Sequence, residues 1–499
     1  MLDKCGRNTV TSNFARVNTL SLQRAGSVRS ARLGSDDRIH PCLFTVPVAT
    51  TVAIFLLPRD ASIQGALMLP SWMMTVGLLG GIAIDALERG IDRVFRTENV
   101  LMIALVTIVY PELLQPVYST YLDAASIQNA FIAIGIFATM IALGASIGSR
   151  SLSRAVVELA QRQLSRKIVF RLMLLCWALA MFNFALASNF SLTNIINGLL
   201  AGRWSAPWAR GQFGGWESFR DFLNNFGYLV PTLTSVLALQ SGSWLNPMVL
   251  AGLLCSAVDI AFIVQSGSRR LVVVVIGAAI LTWLCAKRRE LRLKHCVIVA
   301  LLVLANAVFS DVMLNLRNEG FRGFSIEKEN FTALKVDDNF RALAETMRLI
   351  PTEAPFVGFH FMWFVVVRPI PRVFWPGKPT GPGFDLTQYL GEKGLTHNVS
   401  VIGEFYMSFG WAGIVIGGAV FGWLARHWSQ LLERDFGITA TALYGLGTMA
   451  LFLGIRSLLE VVLMMYPIIC WLALDRFLSK KDLRAANPNQ RRTVAHELA

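Results

Sequence analysis

Apolar stretches of membrane-crossing length recur along most of this chain and are separated by polar connections. A helix needs about 20 mostly apolar residues to cross the hydrocarbon core of a bilayer. The chain meets that requirement repeatedly, and the pattern predicts about twelve transmembrane helices. The predicted helices cover residues 41–58, 65–84, 99–118, 127–147, 168–188, 226–241, 247–265, 269–286, 295–310, 401–425, 438–455 and 457–475.

The composition indicates the same class of protein. Of the 499 residues, 54% are hydrophobic and 16% are charged, and the mean hydropathy is +0.52. We therefore expect an all-α, polytopic integral membrane protein without a soluble domain of ordinary size. The net charge of +14 would favour a nucleic-acid ligand in a soluble protein. Here the basic residues lie mainly in alternate loops, as the orientation of a membrane protein requires, so we expect no nucleic-acid partner.

The basic residues fall in alternate connections. Counting twelve helices places the basic loops near 89–96, 150–167 and 287–294 on one side, together with both ends of the chain. Because basic loops stay in the cytoplasm, this predicts a multi-pass protein of the inner-membrane type with both termini cytoplasmic. Residues 1–40, polar and rich in arginine, are predicted to be a disordered cytoplasmic tail, and residues 476–499 a second cytoplasmic tail.

Two longer connections fall on the opposite, periplasmic side. The smaller loop, residues 189–225, lies among the first nine helices, which occupy residues 41–310. The larger loop, residues 311–400, precedes the last three helices at 401–475 and contains ten basic and ten acidic residues. Its apolar segment at 355–367 is too short to cross a bilayer and is predicted to be re-entrant or interfacial.

The larger loop also contains a predicted helix, from Asp337 to Ile350. Asp337 or Asp338 is a suitable N-cap residue for it. Its apolar positions recur at helical spacing, and they are Phe340, Leu343, Met347 and Ile350.

Candidate chemistry is concentrated between Arg368 and Trp411, where five prolines and several glycines interrupt the apolar pattern. Arginine is planar, always charged and able to bind phosphate oxygens in pairs. Aromatic residues beside cations suit a ligand that combines sugars with phosphates. Tryptophan and arginine also anchor helices at the membrane surface, which is the alternative interpretation. The arginines of the two periplasmic loops include Arg203, Arg210, Arg220, Arg317, Arg322, Arg341, Arg348, Arg368 and Arg372.

Two segments carry a resemblance to a known family. They are IPRVFWPGKP at 370–379 and THNVSVIGEFYMSFGWAGIVIGG at 396–418. They resemble the bacterial oligosaccharide repeat-unit polymerases, the Wzy-type O-antigen and exopolysaccharide polymerases. A large periplasmic loop late in a chain of about twelve helices is similar too. Elsewhere the likeness is one of architecture alone.

The resemblance implies a metal-independent glycosyltransferase at the periplasmic face of the inner membrane. Such an enzyme transfers the growing glycan from undecaprenyl diphosphate to the next lipid-linked repeat unit, in the synthesis of lipopolysaccharide O-antigen or exopolysaccharide. The implied partners are these lipid-linked glycans, the bilayer, a flippase and a chain-length regulator. No cofactor is implied, and the sequence has no clustered set of metal-ligating residues.

Residue roles follow from that reaction. Arg372, flanked by Pro371 and the Trp375–Pro376 turn, is the candidate clamp for the diphosphate. Lys378 between two helix-breaking neighbours is a second candidate cation. Arg368 and Arg372 could alternatively extend from an interfacial helix to the membrane surface. The candidate substrate-binding residues are Lys378, Arg368, Arg317, Arg322, Arg210 and Trp375.

Two residues compete as the general base. His397 precedes the tenth predicted helix, and its imidazole titrates near neutrality. Glu404 lies inside the apolar opening of that helix, where an ionised carboxylate needs a partner or a function. Pairing of Glu404 with a loop arginine, for example Arg372, is the alternative to a role as base.

Two other functions are also consistent with the sequence. An O-antigen ligase performs a similar transfer to lipid A core with a similar late loop. A proton-coupled transporter is the rival from another class, because Asp259 lies in a predicted helix without an evident partner. Glu112 also needs a partner, whereas Arg456 and Glu460, four residues apart, are expected to form an interfacial pair.

The predicted topology is tested by a reporter fused after residue 340. Twelve helices place that residue in the larger periplasmic loop, so we expect a periplasmic reporter to be active and a cytoplasmic one to be silent. A cytoplasmic signal would overturn the topology and the proposed location of the site.

Overall fold

Helices are the only regular elements among the residues that the computed structural model describes. Those residues are 39–147, 160–161, 163–209, 217–322, 334, 336–392, 397–433, 437–462, 464–470 and 473. The all-helical class predicted from the sequence is confirmed for them.

Seventeen α-helices are described here in chain order. They are α1 Cys42–Phe55, α2 Met68–Arg89, α3 Thr97–Val109, α4 Ala124–Ile147, α5 Arg166–Ala187, α6 Leu192–Leu200, α7 Glu217–Asn224, α8 Val230–Ser241, α9 Pro247–Gln265, α10 Arg269–Ala286, α11 Leu293–Glu319, α12 Asn339–Leu349, α13 Phe359–Val367, α14 Leu386–Leu390, α15 Ser400–Glu433 and α16 Ile438–Gly454, followed by α17 Leu458–Cys470. Short 3₁₀ turns lie at Ile91–Phe95, Asn225–Leu229 and Arg288–Glu290.

Within the described ranges, seven helical segments are long and apolar enough to cross a membrane, as in a multi-pass membrane protein. They are Met68–Arg89, Ala124–Ile147, Arg166–Ala187, Phe222–Ser241, Pro247–Gln265, Arg269–Ala286 and Ser400–Leu432. The remaining five predicted spans coincide with shorter apolar helices, at Cys42–Phe55, Thr97–Val109, Leu293–Leu302, Ile438–Gly454 and Leu458–Cys470. The number twelve and the orientation of the chain stay predictions. Residues 1–38 of the predicted N-terminal tail and all of the predicted tail at 476–499 lie outside the described residues.

The hydrophobic core has two parts. The first is built mainly by α1–α4, α12, α13 and most of α15. The second is built mainly by α5, α8–α10, α16 and α17. The last turns of α15 belong to the second part, so this helix contributes to both.

The helix predicted inside the larger loop is confirmed as α12, with Phe340 and Leu343 fully buried. Its predicted cap is corrected. The Asp338 side chain makes no capping hydrogen bond. Instead the Glu112 carboxylate accepts hydrogen bonds from the backbone N–H groups of Phe340 (2.8 Å) and Arg341 (3.2 Å). The first N–H groups of a helix have no partner within it, and Glu112 Oε1 supplies that partner for two of them.

The helix α15 reverses direction at Phe409–Gly410, where both residues leave helical geometry and Gly410 has a φ of +63°. The rings of Phe405 and Phe421 are 6.1 Å apart, whereas 16 residues of straight helix would separate them by about 24 Å. Residues 400–408 therefore fold back against residues 411–433. The prediction of one uninterrupted span at 401–425 is wrong in this respect.

The reversal frees backbone carbonyls that the chain satisfies from another segment. The N–H groups of Val357 and Gly358 donate to the carbonyls of Met407 (2.9 Å) and Ser408 (3.1 Å). Irregular backbone at membrane depth is stable only when protein or water completes its hydrogen bonds. The residues just before α13 are thereby attached to the turn in α15.

Glycines allow the close packing around this turn. Gly413 and Gly417 face Phe405, and a Cβ atom on either would overlap that residue. Gly418 and Gly422 face α4, where a Cβ on Gly422 would overlap the carbonyl of Ile141. Small residues four apart let two membrane helices bring their backbones together.

We expect Gly422→Ala to lower the apparent Tm of the detergent-solubilised protein. Overpacking a close contact costs about 1–3 kcal/mol, more than alanine gains in helix propensity. Gly80→Ala in α2 is the matched control, since a Cβ there meets open space. It should leave the Tm unchanged or slightly raised. Equal shifts for the two variants would show that the packing of α15 on α4 does not depend on glycine.

Candidate functional site

The loop between α13 and α14 gathers four of the predicted site residues. The Arg372 guanidinium donates to the carbonyls of Lys378 (3.4 Å) and Pro379 (3.1 Å). The Lys378 ammonium donates to the carbonyls of Arg368 (2.5 Å) and Ile370 (2.8 Å). These hydrogen bonds hold the two ends of the proline-rich turn together. We call residues 368–379 the cationic loop.

Lys378 lies at the C-terminal end of α13, where Arg368 is the C-cap residue. The last carbonyls of a helix lack partners within it and carry partial negative charge. The buried ammonium of Lys378 (3% exposed) supplies both a donor and a positive charge. This explains why a lysine is buried in a loop that the sequence presents as polar.

Two cations of the loop, Arg372 and Lys378, have backbone carbonyls as their partners. Among the residues that the structure describes, neither Arg372 nor Lys378 forms an ion pair with a carboxylate; their partners are the four backbone carbonyls. Burial, and after it repulsion from Arg368 and Arg372, lower the pKa of Lys378 to about 8. An anion would relieve that repulsion, so the loop is suited to bind one.

Aromatic contacts hold the cationic loop against α13. The Trp375 ring packs edge-on against Trp363, with centroids 6.1 Å apart. The Arg368 guanidinium lies 5.6 Å from the centroid of Phe364. The loop and the helix therefore form one surface.

His397 is paired with a carboxylate that the sequence did not single out. Its Nε2 lies 2.5 Å from Glu392 Oε2, and the other Glu392 oxygen lies 3.4 Å from the Arg341 guanidinium. The hydrogen bond with His397 lowers the pKa of Glu392, and Arg341 adds to the effect. A carboxylate in this position orients an imidazole and stabilises its protonated form. Glu392 therefore links Arg341 of α12 to His397 in the segment before α15. The spacing of these residues in the sequence does not predict the contacts.

Glu404 is buried (4% exposed) and does not pair with Arg372. Its carboxylate accepts hydrogen bonds from Ser457 Oγ (2.5 Å) and from the backbone N–H of Leu458 (2.7 Å). It therefore caps the N-terminus of α17, where negative charge is favourable. The pairing with a loop arginine considered from the sequence is replaced by this cap.

The predicted pair of Arg456 and Glu460 is confirmed at 3.2 Å. It belongs to a larger network, because Arg456 also pairs with Asp337 (3.1 Å) and Glu460 with Arg270 (2.8 Å). Asp337 in turn pairs with Arg269 at 3.0 Å. The network joins α10, the segment before α12 and the start of α17.

Arg317 and Arg322 lie in a second cluster. Trp204 has the guanidinium groups of Arg203 and Arg317 at 5.2 and 5.8 Å from its ring centroid. Arg322 donates to Asn197 Oδ1 at 2.6 Å. These contacts involve α6, α11 and the smaller loop, and no described contact connects them with the cationic loop. Arg210 lies outside the described residues.

Asp259 is buried in α9 against Gly227, and its Oδ2 has no hydrogen-bond partner within the described ranges. No group of three or more metal-ligating side chains is found in the part of the chain that the structure describes.

Comparisons of the chain with protein-family models, with curated proteins and with solved structures find no match. The assignment of a function therefore depends on the geometry of the site and on the resemblance of its two sequence segments.

Binding of inorganic diphosphate to the protein in nanodiscs should weaken as the pH rises through about 8. Lys378 is charged below its pKa of about 8 and loses its charge above it, so one attractive cation disappears. A bound anion favours the charged form and moves the midpoint upward. Titrations at pH 7 and 9 measure the change.

Lys378→Arg stays charged across this range and Lys378→Met is neutral throughout, so both should lose the lysine contribution to the pH dependence. Titration of the diphosphate itself is common to all three proteins and cancels in the comparison. Identical pH profiles for the three would exclude Lys378 from anion binding.

Proposed function

We propose that this chain is a glycosyltransferase that polymerises undecaprenyl-diphosphate-linked oligosaccharide repeat units at the periplasmic face of the bacterial inner membrane. The observation that carries the proposal is the cationic loop, in which Arg372 and Lys378 have only backbone carbonyls as partners among the residues that the structure describes. The product is an O-antigen or an exopolysaccharide. A lipid diphosphate presents its anionic group at the depth where such a loop, flanked by a short apolar helix, meets the membrane surface.

In the proposed reaction, a hydroxyl oxygen of the acceptor unit attacks the anomeric carbon of the donor glycan. The bond from that carbon to the diphosphate oxygen breaks, and undecaprenyl diphosphate leaves with the electron pair. The hydroxyl proton passes to a base. Catalysis consists of stabilising charge on the leaving diphosphate, orienting the acceptor and accepting the proton.

Arg372 and Lys378 are the proposed diphosphate-binding cations, with Arg368 and Trp375 beside them. His397 is the proposed base, and Glu392 is its positioning residue, since the carboxylate fixes the ring at 2.5 Å and stabilises the imidazolium formed on proton transfer. Glu404 acts through the position of α17. Arg317 and Arg322 beside Trp204 would contact the glycan farther from the reacting bond.

Asp259 favours a second candidate, a proton-coupled transporter. A buried carboxyl with an unpartnered oxygen next to the 3₁₀ turn at Asn225–Leu229 is an arrangement found along proton pathways. Proton uptake by liposomes that contain the protein, lost in Asp259→Asn, would support it. An O-antigen ligase differs from the polymerase only in its acceptor, and glycosylation of lipid A core would identify it.

Arg372→Ala should shorten or abolish the polymer in cells whose own copy of the gene is deleted. Removing one preorganised donor from a charge-stabilising site costs about 100-fold or more in rate. The measurement is the glycan ladder of surface polysaccharide on a gel. Arg372→Gln removes the charge and keeps an N–H donor for Pro379, so it separates loss of charge from loss of loop structure.

The matched control is Arg59→Ala, an arginine of the exposed loop between α1 and α2, which should leave the ladder unchanged. Membrane levels and Tm of each variant show whether it is inserted and folded. An Arg372→Ala protein that is stably inserted and makes polymer of normal length and yield would remove Arg372 from the diphosphate site.

A further inference from the structure

One face of α13 is apolar and uncovered. Phe359, Trp363 and Val366 are 78%, 53% and 57% exposed, and Ile370 just beyond the helix is 39% exposed. Their spacing of four, three and four residues places them along one side of a helix. The other side packs into the core, where Phe364 is buried. We call the four exposed residues the apolar ridge.

The apolar ridge is built to face hydrocarbon. The helix α13 has nine residues, so it is about 14 Å long and cannot cross a bilayer. It begins after Gly358, whose φ is +58°, and ends before Pro369 and Pro371, which prevent its extension. A short helix that is apolar on both sides is stable where one side meets protein and the other meets acyl or isoprenoid chains.

The ridge and the cationic loop are parts of one surface. Lys378 binds the carbonyl of Arg368 at the end of α13, and Trp375 packs on Trp363 of the ridge. Arg372 is fastened to the same turn. An amphiphile with an anionic head and a hydrocarbon chain complements this arrangement, with the head at the cations and the chain along the ridge.

We propose that the apolar ridge binds the isoprenoid chain of the lipid diphosphate whose head group occupies the cationic loop. The inference rests on the proposed function, which supplies undecaprenyl diphosphate as the ligand. A diphosphate brings two adjacent phosphates to Arg372 and Lys378, which have no acid partners among the described residues, whereas a bilayer phospholipid brings one phosphate. The ridge therefore makes affinity depend on chain length, and inorganic diphosphate engages the cations alone.

The test measures binding of undecaprenyl diphosphate, farnesyl diphosphate and inorganic diphosphate to the full-length protein in phosphatidylcholine nanodiscs. The variant is Phe359→Ser/Val366→Ser. The control is Phe55→Ser/Val48→Ser on α1, which removes the same two side chain types from positions that are 85% and 65% exposed. Val366→Ser alone is a second variant, because Phe359 also packs on Phe409.

The wild type should bind the undecaprenyl compound most tightly. The ridge variant should lose roughly tenfold in affinity for it and keep its affinity for inorganic diphosphate, since only hydrocarbon contact is removed. The control should match the wild type. If the ridge variants bind undecaprenyl diphosphate as the control does, or if the wild type binds phosphatidylglycerol equally well, the ridge is an ordinary contact with the bilayer.

Failure of this inference is distinct from failure of the proposed function. If the wild-type protein binds longer isoprenoid diphosphates more tightly but forms no polymer from lipid-linked repeat units, the proposed polymerase activity is wrong and the assignment of the ridge still holds. If the protein forms polymer but the ridge variants bind the lipid diphosphate as the wild type does, the assignment of the ridge is wrong and the proposed polymerase activity still holds.

Discussion

The reversal of α15 at Phe409–Gly410 is the constraint on which the site depends. It exposes two carbonyls, and the N–H groups of Val357 and Gly358 satisfy them. That attachment fixes where α13 begins. The end of α13 is fixed in turn by Lys378, which binds its terminal carbonyls and belongs to the cationic loop. The position of the loop therefore follows from a glycine turn some forty residues farther along the chain, packed on α4 through Gly418 and Gly422.

Three buried ionisable side chains lie at the ends of helices. Glu112 caps the N-terminus of α12, Glu404 caps the N-terminus of α17, and Lys378 caps the C-terminus of α13. Each sign matches the partial charge of the helix end it meets. Because the two carboxylates are occupied in this way, they do not neutralise the cationic loop.

The sequence predicted the apolar helices closely, because periodicity and length are local properties. It also predicted α12 and the pair of Arg456 and Glu460, which depend on residues three or four apart. It could not predict the reversal at Gly410, since a glycine within an apolar run fits an uninterrupted helix equally well. The sequence also could not predict the cap that Glu112 provides or the contact of Glu392 with His397. The first joins segments more than 200 residues apart, and the second joins two residues that lie outside the described helices. The sequence singled out the cationic loop as a candidate site but did not reveal that Arg372 and Lys378 also hold its backbone together.

The most direct measurement of the central claim uses the purified protein in liposomes, supplied with undecaprenyl-diphosphate-linked repeat units from its own host, with and without a chelator. The glycan is released and its length distribution is read on a gel. The account predicts a ladder of polymer that survives the chelator, since arginine and lysine supply the charge that a metal would otherwise provide. A folded, inserted protein that yields no ladder under either condition would contradict it.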